Sequence, residues 1–155
     1  MRVVGVAIRG DRAIVAQIMN ADSYPSAYEI ETAMCHRTGD GWEEGSSGNY
    51  NMTFLPTSDD RCTVVWWDEV PEGVTGARIR LGEQEQEVRV EERFFFVVFD
   101  DVPWDACHSM WLRFPPGASG FARKRRAGEK PRKLDWFHER PTVAGWIPAS
   151  GDGSA

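Results

Sequence analysis

Residues 94–99 read FFFVVF, six apolar side chains in a row, closed by Asp100-Asp101. Side chains on a strand alternate between its two faces. An unbroken apolar run of this length therefore predicts a strand covered on both sides. Aromatic and β-branched residues also favour the extended backbone. Residues 61–67 (RCTVVWW) repeat the pattern and predict a second central strand. Trp66 and Trp67 are neighbours there, so one ring points to each face. In a two-layer sandwich one ring enters the core, and the other reaches solvent or a covering segment.

Working outward, residues 74–81 alternate, with Thr75, Ala77, Ile79 and Leu81 forming the buried parity. Residues 82–86 are a polar turn, and 87–91 alternate again with Val88 and Val90 inward. Residues 52–55 make a short strand, and 68–73 (DEVPEG) a turn. Nearer the start, residues 2–8 and 12–19 flank Gly10-Asp11, the signal of a hairpin. Arg9-Gly10-Asp11 spells an adhesion triplet, but its place between two apolar runs reads as a turn. Residues 27–34 carry two signals. Ser26 and Glu29 match a helix capping box, whereas Tyr28, Ile30, Thr32 and Met34 alternate at strand period. The strand reading is preferred.

Residues 38–51 (TGDGWEEGSSGNYN) hold four glycines and predict a long loop anchored by Trp42. The Gly-Lys-Ser/Thr ending of a phosphate-binding loop is missing from it. Residues 109–114 predict a last strand, and 115–120 a breaker. Short strands at this spacing, with polar turns between, define an all-β fold. The expectation is an antiparallel β-sandwich, immunoglobulin-like or related, with an irregular C-terminal extension. Residues 1–120 form one β domain, and 121–155 hold a basic segment, an aromatic patch and a disordered tail.

A chain of 155 residues has room for one domain. Its 41% hydrophobic content excludes wholesale disorder, and no apolar stretch approaches the roughly 20 residues of a membrane span. The net charge of -6 hides an asymmetry. Residues 1–120 carry 10 Arg against 20 acidic residues, whereas 121–133 carry seven basic residues and one Glu. Charges interrupt the first apolar run before a secretory core forms, which predicts a cytoplasmic protein. Three cysteines give no disulfide framework and are expected as free, partly buried thiols.

Gly41-Trp42, Gly45-Ser46-Ser47-Gly48, Pro71-Glu72-Gly73-Val74 and the strands ending at residues 94–99 resemble a group of uncharacterised β-rich actinobacterial proteins. The likeness is confined to residues 39–103. Fifteen Arg against three Lys suit a high-GC genome of that kind. The resemblance implies a β fold and carries no activity.

Several groupings bear on chemistry. Cys35-His36, Cys107-His108, Cys62 and His138 supply three thiols and three imidazoles, the ligand types of zinc. Their long spacings, and the opposed directions of neighbours on a strand, argue against a metal site. No metal or cofactor is expected. A Cys–His nucleophilic pair would use Cys107 or Cys35 with a nearby imidazole, and Asp105 or Asp135 to orient it. The carboxylate pairs, Glu43-Glu44 to Asp100-Asp101, fall at turns and strand ends, where acids are solvated. Asp100-Asp101, which follows the most apolar strand, is the pair to examine for burial.

Residues 123–133 (RKRRAGEKPRK) concentrate Arg123, Lys124, Arg125, Arg126, Lys130, Arg132 and Lys133. That density can neutralise phosphates, with Phe121, Trp136 and Phe137 beside it to stack on bases. No amphipathic helix accompanies the charges, so a membrane partner is not expected. Trp42, Trp66 and Trp104 would make a binding surface if exposed together. The favoured function is a non-enzymatic module that binds a protein partner through an aromatic and acidic surface. A nucleic-acid-associated protein using residues 121–133, and a hydrolase using the Cys and His residues, are the alternatives.

Overall fold

The computed structural model describes residues 2–19, 29–48, 51–90, 93–107, 109–115 and 146–148. In chain order the strands are β1 (Arg2–Arg9), β2 (Arg12–Met19), β3 (Glu29–Thr38), β4 (Gly41–Gly48), β5 (Met52–Pro56) and β6 (Arg61–Glu69). They continue as β7 (Gly76–Leu81), β8 (Gln84–Arg89), β9 (Phe94–Pro103), β10 (Met110–Arg113) and β11 (Ile147–Pro148). A single 3₁₀ turn, Trp104–Ala106, interrupts them among the described residues. All pairings are antiparallel. No helix among the described residues is long and apolar enough to cross a membrane.

The strands form three sheets. An N-terminal sheet runs β1-β2-β3-β4, a central sheet β5-β6-β9, and a C-terminal sheet β11-β10-β7-β8. The central sheet is the reason for the apolar runs. On one face Val64, Trp66, Phe95, Val97 and Phe99 pack with Ala77, Ile79, Leu81, Met110 and Leu112 of the C-terminal sheet. On the other, Leu55 and Val65 meet Ala7 and Ile14, and Trp67 and Phe94 meet Ala16 and Ile18. The sandwich therefore has three layers. Both tryptophans of β6 are buried, in opposite cores, so the second ring meets a covering segment and not solvent. The second cover is the meander β1–β3, and its apolar inner face supplies it.

The N-terminal hairpin turns at Gly10, whose φ of 63° suits glycine in a two-residue loop. Over residues 29–34 the strand signal prevails, since residues 29–36 of Glu29–Thr38 pair with β2, and residues 26–28 lie outside the described residues. The loop expected at 38–51 is corrected. Gly39-Asp40 is a tight turn, and Gly41–Gly48 is a strand paired to β3. Glycine, serine and glutamate have weak strand propensity. Here β3 templates an edge strand that is exposed along nearly its whole length. The stop expected at Asp100 is also displaced, since β9 runs on to Pro103. Trp146 is buried and the chain adds β11 to the C-terminal sheet, so the extension contributes to the sandwich.

Candidate functional site

Among the described residues the three sheets have six edges, and five are short, charged or covered, features that discourage further pairing. Edge strands invite pairing with other chains unless charge, proline, brevity or cover prevents it. β5 is five residues long and ends in Pro56, and β11 is two residues long and ends in Pro148. β8 alternates exposed Glu85, Glu87 and Arg89. β4 presents Glu43 and Glu44 among its glycines. On β9 the Val98 carbonyl accepts from Gln86 Nε2 at 2.8 Å, and the Asp100 carbonyl from Gln84 Nε2 at 2.9 Å. Side chains of β8 thereby occupy that edge.

β1 is the exception. It is eight residues long, without proline, lysine or acid, and pairs on one side only among the described residues. Ala7 and Val4 face the core. Val3, Val6 and Ile8 project the other way and are 48%, 50% and 49% exposed. Aliphatic side chains of this size do not gain from standing in water in a row. The sequence carries a signal for this site. A strand with one wet face alternates apolar with polar, and RVVGVAIR is apolar at both parities.

Two contacts hold β1 in place. Gly5 sits over the ring of Phe96, so close that a Cβ would overlap the ring. Arg9 donates from Nε and Nη2 to both Asp100 oxygens, each at 2.8 Å, which ties the strand to β9. The Thr63 hydroxyl donates to the same carboxylate at 2.8 Å. The Arg9 hydrogen bond, helped by Thr63, holds Asp100 below the usual carboxylate range. Asp100 is exposed, not buried, and works as a surface tether. Asp101 beside it adopts φ 54° and is exposed.

The tryptophans singled out from the sequence do not converge. Trp66 is 2% exposed, with its ring edge-on to Phe95 at 4.8 Å between centroids. Trp42 lies on β4, partly exposed, with the Arg37 guanidinium 4.9 Å from its ring centroid. Trp104 opens the 3₁₀ turn beyond the central sheet and meets Phe54 at 6.3 Å between centroids. Arg123, Lys124, Arg125, Arg126, Lys130, Arg132 and Lys133 lie outside the described residues, as do His108 and His138.

Cys62 and Cys107 lie on other elements than the described imidazole, His36. Cys35 and His36 are successive residues of β3, and Glu43 approaches His36 at 4.0 Å. Burial, then Glu44, pushes the Cys35 thiol up. Cys107 and Cys62 are buried together with their sulfurs 2.9 Å apart, and Cys107 also faces the Pro103 carbonyl at 3.5 Å. Burial, then its contact with Cys62, pushes Cys107 up to about 12. Among the described residues no three His, Cys, Asp or Glu side chains gather as metal ligands do.

A shallow hollow of 510 Å³ lies on the C-terminal sheet beside Arg78, Glu87, Val88, Arg113 and Phe114. Arg78 is already engaged by Glu87 at 2.9 Å and Glu85 at 3.4 Å, which leaves the hollow without a converging polar set. Comparison with family models, with curated proteins and with solved structures finds no match to this chain.

Proposed function

We propose that this protein is a non-enzymatic interaction module that accepts an extended segment of a protein partner along β1. The observation that carries the reading is the long edge with exposed Val3, Val6 and Ile8 beside it, when the other five edges among the described residues are short, charged or covered. Strand addition uses backbone hydrogen bonds for affinity and alternate side chains for specificity. β1 offers both, held firm by Gly5 on Phe96 and Arg9 on Asp100. The fitting occupant is a strand whose own alternate residues are apolar and cover the three aliphatic side chains.

The thiols favour this reading over a hydrolase. A nucleophilic cysteine needs a lowered pKa and a partner base. Burial instead raises both Cys35 and Cys107. The charge of residues 121–133 supports the nucleic-acid reading, in which binding would weaken steeply with salt.

Capture from lysate of the source organism, with and without nuclease, separates the two. The bait is the full chain, run beside a Val6→Lys/Ile8→Lys variant and a Glu87→Lys control. The expected result is a stoichiometric protein partner that survives nuclease, stays with the control and is lost with the β1 variant. A partner retained equally by the β1 variant, or released by nuclease, would overturn the reading.

A further inference from the structure

We propose that Cys62 and Cys107 are a disulfide-forming pair that staples the central sheet to the chain leading into the C-terminal sheet. The residues come from distant parts of the sequence, 45 positions apart, yet their sulfurs lie 2.9 Å from each other. A disulfide bond is about 2.05 Å, so closure needs a shift of under an ångström. Cys62 opens β6. Cys107 follows the 3₁₀ turn that leads from β9 towards β10. Both thiols sit in one apolar cluster with Val64, Val102 and Met110, and Cys107 also faces the Pro103 carbonyl at 3.5 Å.

The route to the pair runs through the turn. Trp104 and Asp105 are exposed and Ala106 is half-buried, so opening three residues uncovers the Cys107 sulfur without parting a sheet. The oxidant is a low-molecular-weight disulfide. On opening, Cys107 loses its proton and its sulfur attacks one sulfur of that reagent. The reagent's S–S bond breaks, and the departing thiolate takes up a proton. Cys62 then loses its proton, and its sulfur displaces the second thiol from the mixed disulfide. Two electrons pass from the two cysteines to the reagent, which leaves as two thiols. Cys35 lies on the N-terminal sheet and is not part of the pair.

The test uses the full chain, reduced and then incubated with oxidised glutathione. Intact mass, peptide mapping after alkylation in denaturant, and thermal unfolding are read on the same samples. The expected product is lighter by about 2 Da. It shows one linked peptide joining residues 62 and 107, an alkylated Cys35, and a midpoint raised by about 10 °C. A Cys35→Ala chain should give the same linkage, which keeps the result readable if Cys62 or Cys107 variants fail to fold. Three thiols that all remain alkylatable, a link to Cys35, a stable mixed disulfide, or a linked pair with a lowered midpoint would each overturn the proposal.

Discussion

Cys107 illustrates how one buried residue writes itself into the behaviour of the whole. Its thiol is protonated in the fold because ionisation would place a charge in an apolar core beside Cys62. The folded value, about 12, stands above the ordinary 9.0. Folding therefore favours the protonated thiol, and this contribution is fully present below about pH 9 and lost as pH rises towards 12. For the fully reduced protein, denaturant midpoints should fall across that window, and fall less in Cys107→Ala. Equal slopes for both proteins would show that the thiol is not held protonated. The sequence places Cys35 and Cys107 each beside a histidine and so suggests Cys–His pairs. The actual partner of Cys107 lies 45 residues away, and no local spacing reports that.

At the scale of the element, legibility followed the number of covered faces. β6 and β9 read clearly because both faces are buried, which demands apolar residues at every position. The hairpin β1–β2 was legible from its turn. β4 was not, since an exposed edge strand of glycine, serine and glutamate has no core to announce it. The second layer over Trp67 was also hidden. The indole donates to the Thr32 hydroxyl at 2.9 Å, and nothing in either segment marks that meeting. β1 was legible as a strand, and its site showed only as an apolar run at both parities, which a strand covered on both faces would share; its bulge between Val3 and Gly5 has no mark in the sequence. That bulge puts Gly5 against the Phe96 ring, where no side chain fits. Gly5→Ala should lower unfolding stability by about 1–3 kcal/mol, as overpacking does. Denaturant unfolding checks it, and an unchanged midpoint would mean that β1 does not sit on Phe96 as described.

Across the whole molecule, three sheets share one centre, and the two outer sheets each bury a face that the central sheet supplies. Among the described residues five edges are short, charged or covered and one is long and apolar, and the functional reading rests on that inequality. The most direct measurement is amide hydrogen exchange of the full, partner-free chain, resolved to single residues. In an edge strand alternate amides bond to the neighbour and the rest face outward. The account predicts slow exchange through β6 and β9, and in β1 an alternation of slow amides paired to β2 with fast ones facing out. Uniform protection along β1 would mean that its edge is already occupied, and would contradict the claim that it is the place where a partner strand is added.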